Sequence, residues 1–304
     1  MNNPIQLVSA EKIDAEKWDR CIAENANGLI YSTTTYLNTM AANWHGLVMD
    51  DYAMVMAVPW KKKMGIRYGY MPAFTQQLGL VGNCENIDPA GLLKKVAHFL
   101  PYGDYHFNFL NGGLLIKLPA KKRTNLVIDL SKDFLVTSSL FKKDLKQDIS
   151  KAEKWQLQYA ATEIDEAVNC FRENYSHKIQ HLTNNDFLKF ATLCKQFETR
   201  GQCFVRSVID TNGCRLATAI FLKDNKRIYN LMNTSLAEGR KKSANHFLLS
   251  NLIAEFSGQP LLLDFEGSEL PGVKSFYESF GAVDEPYFYH HYNTLPWPLN
   301  ILKA

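Results

Sequence analysis

Two carboxylates and a tyrosine near the C-terminus have the types and spacing needed for proton transfer. Asp264 and Glu266 stand two residues apart at the end of the apolar run Leu261–Phe265, so they share a face if the strand geometry continues. A buried carboxylate with a raised pKa can accept a proton, and a tyrosine such as Tyr277 can donate one. Capping of the following turn explains Asp264 better. For Glu266, the capping and the base hypotheses both stay open.

A basic cluster precedes the most clearly helical segment of the chain. Arg240, Lys241 and Lys242 come directly before Ser243–Phe256, whose apolar residues recur at helical spacing. A helix N-terminus presents unpaired N–H groups and a partial positive charge, which suit a phosphate. The alternative is a solvated surface loop, the usual place of a short charge run.

These residues belong to a single run of alternating strands and helices. The pattern predicts a strand at Arg227–Met232, a polar loop at Asn233–Lys242, the helix Ser243–Phe256, a buried strand at Leu261–Phe265 and a helix at Gly272–Phe280. A ligand could occupy the gap where the two strands part.

This unit resembles the acyl-CoA-binding core of the GNAT N-acetyltransferase superfamily. Arg240–Asn245 matches the first residue of that family's pyrophosphate pattern, whereas Ser243 and Asn245 replace its small residues. Phe276–Ala282 is similar to the family's Tyr-x-x-x-Gly-Phe segment, in which the tyrosine protonates the departing CoA thiolate.

A second resemblance points to a particular branch. Asp264–Ser268, followed by Pro271 and Gly272, resembles the Fem-type peptidyltransferases and their relatives, which carry two GNAT-like domains in one chain. The order of elements also repeats, because each half predicts helices, an antiparallel meander, and then a helix and a strand. We therefore predict an α+β fold of two tandem GNAT-like domains, each a mixed, mostly antiparallel sheet flanked by helices. The predicted parts are an N-terminal domain at 1–136, a linking helix at 137–155 and a C-terminal domain with the acyl-donor site at 156–304.

The resemblance implies transfer of an acyl group, acetyl above all, from acyl-CoA to a small-molecule or peptide amine. It implies that Tyr277 protonates the thiolate, that Glu266 or a water accepts the amine proton, and that backbone N–H groups near Met232 and Asn233 stabilise the oxyanion. The residues expected to bind the cofactor are Met232, Asn233, Arg240, Lys241, Lys242, Ser243, Ala244 and Asn245. Asn230, in an otherwise apolar strand, is expected either to face the cleft or to pair across the sheet.

Two alternatives stay open. One is a Fem-type peptidyltransferase that takes its donor from aminoacyl-tRNA and acts on a cell-wall precursor. The other is a non-catalytic GNAT-like scaffold that binds a partner, which the residues Ser243 and Asn245 favour because they replace the expected small residues.

Composition narrows the class of protein further. The 304 residues favour two domains, and a net charge of +3 is too small to argue for a nucleic-acid partner. Six cysteines without a Cys-x-x-Cys pair favour a reducing compartment. We find neither a secretion signal nor an apolar run long enough to span a membrane, so a cytoplasmic protein is expected.

The remaining histidines and basic clusters are not predicted to form functional sites. His177 and His181 have no third ligand at useful spacing, so no metal site is predicted. The basic clusters Lys61–Lys63, Lys121–Arg123 and Lys142–Lys154 are expected to be solvated surface. They could hold an RNA or an anionic lipid headgroup only if they fell on one face. The sequence does not indicate an oligomeric state.

Overall fold

The computed structural model describes residues 5–84, 87–116, 118–179, 181–267 and 269–301. It divides the chain into two compact units, of which unit 1 comprises residues 1–123 and 286–304 and unit 2 comprises residues 124–285. The division therefore differs from the predicted boundaries at 136 and 155. The chain enters unit 2 earlier than predicted, and its C-terminal segment belongs to unit 1 rather than to the second domain.

Unit 1 is built on an eight-stranded sheet. Seven strands follow the order β1-β2-β3-β4-β6-β15-β7, and β5 pairs with β3. The pairs are antiparallel except β4 with β6. The strands are β1 Gln6–Ser9, β2 Asn43–Met49, β3 Met54–Lys63, β4 Ile66–Gly69, β5 Leu80–Gly82, β6 Tyr102–Phe107, β7 Ala120–Arg123 and β15 Tyr287–Asn293, and the helices are α1 Ala15–Glu24, α2 Thr34–Met40 and α3 Pro89–Phe99.

Unit 2 is built on a seven-stranded sheet in the order β14-β8-β13-β12-β11-β10-β9. The pairs are antiparallel except β12 with β13. The strands are β8 Leu126–Asp129, β9 Gln158–Ala161, β10 Cys203–Ile209, β11 Arg215–Lys223, β12 Arg227–Ser235, β13 Leu262–Asp264 and β14 Val283–Asp284. The helices are α4 Phe134–Ser139, α5 Lys143–Lys154, α6 Ile164–Tyr175, α7 Asn184–Glu198, α8 Ala237–Lys241, α9 Ala244–Phe256 and α10 Pro271–Glu278.

Helix starts follow local chemistry. Asp88 accepts hydrogen bonds from the backbone N–H groups of Ala90 and Gly91, and Pro89 occupies the first turn of α3. Thr183 and Asp186 form a reciprocal capping box at the start of α7. These signals are local, so sequence patterns detect them.

The prediction of one linking helix at 137–155 is wrong, because the segment holds two helices and lies within unit 2. The segment contains the end of α4 and the whole of α5, separated by a turn that places Phe141 in the core of unit 2. The Phe141 ring lies edge-on to Phe280, 5.4 Å away between centroids. α5 packs against α9 of the same unit. A buried aromatic side chain at the break explains why one long helix does not form.

None of the helices in the described part of the chain has both the length and the apolar character needed to cross a membrane.

Candidate functional site in unit 2

The two parallel strands of unit 2 separate shortly after they meet. β12 and β13 pair only over Arg227–Tyr229 and Leu262–Asp264, whereas β12 continues to Ser235. The register between β11 and β12 also shifts, because Phe221 lies opposite Asn230 and Ile220 opposite Met232. Leu231 is therefore an extra residue in β12, a β-bulge of the kind that re-aims neighbouring side chains. The pairing of β12 with β13 ends beside this bulge, and we use the word gap for the place where it ends.

Asn230 is the polar side chain at the start of this gap. It is 4% exposed, and neither its amide nitrogen nor its amide oxygen makes a hydrogen bond within the described residues. A buried amide without partners costs about 1–3 kcal/mol. Such a group is expected where a ligand supplies the missing hydrogen bonds.

Tyr277 of α10 faces the same place. Its ring stacks on Phe265 with 4.4 Å between centroids and 10° between planes, and the residue is 8% exposed. Burial raises the pKa of Tyr277, the neighbouring Glu266 carboxyl and Tyr175 phenol raise it further, and the Asn230 amide lowers it. Tyr277 and Asn230 are thus neighbours, although no hydrogen bond of normal geometry joins the Asn230 amide to the phenol. The phenol is protonated at neutral pH, which is the state that a general acid requires.

Glu266 follows β13 in a left-handed backbone conformation, with φ at 63°. Burial raises the pKa of its carboxyl well above the ordinary value. Asp264 caps the same turn, because its Oδ1 accepts a hydrogen bond from Glu266 N at 2.9 Å. Of the two carboxylates, Glu266 is therefore the one placed next to Tyr277. Ser268, which belongs to the predicted motif, lies outside the described residues.

An ionic cluster fixes the strand ends below this site. Arg227 and Asp264, which are 3% and 1% exposed in their side chains, pair at 3.0 Å. Arg227 also pairs with Glu285 at 2.6 Å, and Asn125 donates to Asp264 at 3.1 Å. Buried charges of this kind need partners. Here β12 supplies Arg227 and β13 supplies Asp264, while Asn125 directly precedes β8 and Glu285 directly follows β14. The cluster anchors the end of β13 from which Glu266 projects.

The start of α9 adds further polar atoms without partners. Within the described residues, no hydrogen bond reaches Nδ2 of Asn233, Oδ1 of Asn245 or Nδ1 of His246. Asn233 and Asn230 lie on the same face of β12. Their partners Ala219 and Phe221 stand two residues apart in β11 and therefore share a face. The His246 ring lies edge-on to Phe276, 4.9 Å away, and Phe276 neighbours Tyr277. The unpaired atoms therefore belong to one region between β12, α9 and α10.

The predicted basic loop is not a loop. β12 extends to Ser235, and the short helix α8 holds Arg240 and Lys241. Each of the three cations already contacts an oxygen atom of unit 2. Arg240 donates to the Ser235 carbonyl, Lys241 pairs with Glu238 at 2.6 Å, and Lys242 pairs with Asp210 at 3.2 Å. Gly239 explains the compact turn, since a Cβ there would lie 2.0 Å from the Leu216 carbonyl oxygen.

A carboxylate of α5 stands at the N-terminus of α9. Asp148 accepts a hydrogen bond from Ser243 Oγ at 2.9 Å and lies 3.7 Å from His246 Nε2. Ser243 itself adopts a left-handed conformation with φ at 54°, a geometry that glycine adopts more easily. Ala244, the first residue of α9, is fully buried. The anion that a helix N-terminus favours is thus supplied from within the chain.

Sequence reasoning missed Asp148, His246 and Tyr175 as members of this region. Asp148 and Tyr175 reach it from α5 and α6, which are distant in sequence, and no spacing rule relates them to α9 or α10. His246 carried a usable signal, because it lies in the first turn of the predicted helix, three residues after Ser243.

No family model matches the chain, and no curated protein sequence matches it. Solved structures do resemble it. FemX is 13% identical, with 98% of this chain and 99% of that chain covered and a TM-score of 0.70. A conserved protein of unknown function from Bacteroides thetaiotaomicron is 12% identical, with 95% and 100% covered and a TM-score of 0.60. L-PGS from Bacillus licheniformis is 12% identical, with 95% of each chain covered and a TM-score of 0.54. The fold is that of two tandem GNAT-like domains, as the sequence predicted.

Proposed function

We propose that the chain is an acyltransferase whose unit 2 cleft joins an acyl group to an amine. The observation that carries the proposal is the group formed by Asn230, Tyr277 and Glu266 at the point where β12 and β13 part. Among the residues that the structure describes, none hydrogen-bonds the Asn230 amide, Tyr277 is a protonated acid, and Glu266 is a carboxyl with a raised pKa. These are the components that direct transfer to an amine needs.

In the proposed reaction the amine nitrogen attacks the acyl carbonyl, and the bond from that carbon to the carrier breaks. Backbone N–H groups near Met232 and Asn233 stabilise the oxyanion. Tyr277 gives its proton to the departing carrier atom, and Glu266, or a water beside it, takes the proton that the amine nitrogen loses. Holding both reactants in one cleft supplies much of the acceleration.

The first candidate donor is acetyl-CoA or another acyl-CoA. Its acyl end would lie beside Asn230, and its pyrophosphate would approach Arg240, Lys241 and Lys242 and the start of α9. The same proposal assigns Ser243, Ala244 and Asn245 to that contact. The pyrophosphate would have to displace the internal pairs that these cations make, above all Lys242 with Asp210.

The second candidate is a Fem-type aminoacyl transfer, in which the donor is an ester of tRNA. Asp148 favours it, since this carboxylate already stands where a CoA phosphate would bind. The likeness to FemX over nearly the whole chain agrees with it in fold.

The test compares donors on the purified protein. Thermal unfolding with acetyl-CoA at a hundred times its dissociation constant should raise the free energy of unfolding by about 2.7 kcal/mol. The Arg240→Ala variant should lose that gain, whereas Arg20→Ala in unit 1 should keep it. In parallel, transfer of a labelled acyl group to a panel of amines is measured with acetyl-CoA and with aminoacylated tRNA. Transfer from the tRNA ester alone selects the second candidate. Absence of binding and of transfer with both donors would reject the proposal in favour of a non-catalytic scaffold.

A further inference from the structure

We propose that one face of the unit 1 sheet binds single-stranded nucleic acid, with bases stacked on tyrosine rings and phosphates held by lysine and arginine. We call this surface the tyrosine face. It comprises Lys61, Tyr68, Tyr70, Tyr102, His106, Lys121, Arg123, Tyr287 and Tyr289. The proposed acyl transfer gives this surface no role, and the inference does not depend on that reaction.

The first half of the tyrosine face spans β3, β4 and β6. Lys61 lies directly opposite Tyr68 in the antiparallel pair of β3 and β4, so the two side chains project from the same side of the sheet. Tyr70 is two residues further on and shares that side. The Tyr68 ring stacks on Tyr102 of β6, with 5.3 Å between centroids and 15° between planes. The face therefore continues from β4 into β6.

The second half spans β6, β15 and β7. Tyr289 lies opposite His106 in β6 and opposite Lys121 in β7, and Tyr287 lies opposite Arg123. The His106 ring lies 5.4 Å from Tyr287 and 5.7 Å from Tyr289 between centroids. Since Tyr102 and His106 are four residues apart in the same strand, both halves share one side of the sheet.

The opposite side of these strands is the core of unit 1. Phe107 and His290 are 1% and 5% exposed, and a Cβ at Gly112 would lie 2.6 Å from the Phe288 ring. The five tyrosines are only half-buried, and Lys61 and Lys121 are exposed. These half-buried rings leave part of their aromatic surface exposed on the outer side of the sheet.

Cations already lie close to these rings. Lys61 Nζ is 4.3 Å from the Tyr70 centroid, and the Arg123 guanidinium is 5.4 Å from the Tyr289 centroid. Asp104 is an exposed carboxylate on the same face, and it accepts hydrogen bonds from Tyr289 Oη at 2.6 Å and from His291 Nδ1 at 2.9 Å. The three cations flank the rings, with Lys61 in β3 on one side and Lys121 and Arg123 in β7 on the other, so phosphates could be held at both ends of the row of tyrosines.

The same arrangement argues for nucleic acid rather than for a neutral saccharide. Single-stranded nucleic acid is held by aromatic platforms combined with a positive groove, and its affinity falls steeply with salt. A saccharide would also stack on tyrosines, but it would gain nothing from Lys61, Lys121 and Arg123 as charges. Lys61 of one basic cluster and Lys121 and Arg123 of another, which we expected to be solvated surface, thus share one face of the sheet, in β3 and β7.

The test measures fluorescence anisotropy of a labelled twelve-nucleotide oligouridylate with the full-length protein at 50 to 200 mM KCl. Three phosphate contacts predict a slope of log affinity against log salt of about −2. Tyr289→Ala and Tyr68→Ala should each weaken binding about 5- to 150-fold, because each removes one stacking platform. Tyr289→Phe should retain the affinity. Lys121→Gln should reduce the magnitude of the salt slope by about 0.7, whereas Lys132→Gln in unit 2 should not change it.

The results of these binding measurements distinguish single-stranded nucleic acid from other ligands. A blunt duplex of the same length should bind more weakly than the single strand, since its bases cannot stack on the rings. The proposal is overturned if the wild-type protein does not bind the oligonucleotide. It is also overturned if heparin binds equally well and both tyrosine variants keep full affinity, which would mean charge alone. Binding of chitohexaose that depends on Tyr289 but not on Lys121, without oligonucleotide binding, would identify a saccharide surface instead. If a tyrosine variant does not fold, Tyr287→Ala, which removes another ring of the same face, is measured in its place, and full affinity in that variant rejects stacking.

Discussion

The Tyr277 ring lies almost parallel to the Phe265 ring, with 4.4 Å between centroids and 10° between planes. This contact fixes the phenol beside Asn230 and Glu266, the group proposed to perform acyl transfer. The ring and the hydroxyl therefore have separable roles, the first in packing and the second in chemistry.

Tyr277→Phe should separate these roles. The phenylalanine ring keeps the contact with Phe265, so the free energy of unfolding should change by less than about 1 kcal/mol. Loss of the proton donor should lower kcat by about 10²–10⁴-fold. Activity and urea unfolding are measured on the same preparation. Ser275→Ala, which changes an exposed residue of the same helix, is the control, and its kcat should stay near the wild-type value. An unchanged kcat in Tyr277→Phe would exclude this phenol as the acid.

Glu266→Gln should remove a pH dependence of stability. In the folded chain burial raises the pKa of Glu266 well above its ordinary value, whereas the unfolded carboxyl titrates near 4.3. Folding therefore takes up a proton between these two pKa values. The stability that the protonated carboxyl contributes is present below about pH 4.3 and is lost as the pH rises through the folded pKa.

The glutamine variant has no proton to lose, so it should gain up to about 1.4 kcal/mol relative to wild type per pH unit within that window. The two proteins should differ least at pH 4. Thermal unfolding from pH 4 to 9 measures the difference. If Glu266 is also the base, wild-type activity rises with pH through the raised pKa, and the variant shows no such limb. Parallel unfolding curves at every pH would contradict the raised pKa.

Structural features that depend on residues close in sequence could be predicted. The helix predicted at Ser243–Phe256 is observed from Ala244 to Phe256, and the strand predicted at Leu261–Phe265 is observed from Leu262 to Asp264. Both follow from periodicity and apolar runs, which are local. α8 was missed because five polar and small residues carry no apolar period, and they form a helix only once Gly239 packs against Leu216.

Pairing between strands that are distant in sequence leaves no local pattern from which it could be predicted. β15 lies between β6 and β7 in unit 1, although its residues fall within the second domain predicted at 156–304. β8 likewise pairs with β13 in unit 2, although it precedes the predicted boundary. At the site, the types of Tyr277, Glu266 and Asn230 could be selected from sequence. Asp148 could not, because its approach to Ser243 joins residues 95 positions apart.

Asp148→Asn should raise the affinity of the α9 N-terminus for a phosphate ligand. The asparagine keeps an oxygen for Ser243 Oγ but removes the negative charge that now stands there. At about 4 Å in water, one such charge contributes about 1 kcal/mol against each phosphate charge, which corresponds to about 5-fold in the dissociation constant. Isothermal titration with CoA measures the change.

The same variant should lose about 0.3–1 kcal/mol of folding stability, because the helix dipole loses its anion. Glu153→Gln removes an exposed charge from the same helix α5 and should change neither quantity. Equal CoA affinity in the wild type and in Asp148→Asn would show that this carboxylate does not repel a phosphate from the helix N-terminus.

Asn230→Leu and Asn125→Leu should change stability in opposite directions. Both asparagines are buried, at 4% and 0% exposure, and Asn125 donates a hydrogen bond to Asp264 at 3.1 Å, whereas the Asn230 amide makes none with the described part of the chain. Leucine at 230 removes an amide that is buried without hydrogen bonds, so the free energy of unfolding should rise by about 1–2 kcal/mol. Leucine at 125 leaves the buried Asp264 carboxylate one donor short and should lower it by about 2 kcal/mol or more.

Stability gained at position 230 should come with loss of function, because the amide is proposed to hydrogen-bond the acyl donor. Asn230→Leu should therefore raise KM for that donor about 10-fold, the effect of one or two hydrogen bonds. Urea unfolding and steady-state kinetics are measured on both variants and the wild type. A destabilised Asn230→Leu protein would show that the amide is already satisfied in the folded chain, and the cleft would then lose its strongest sign of a ligand.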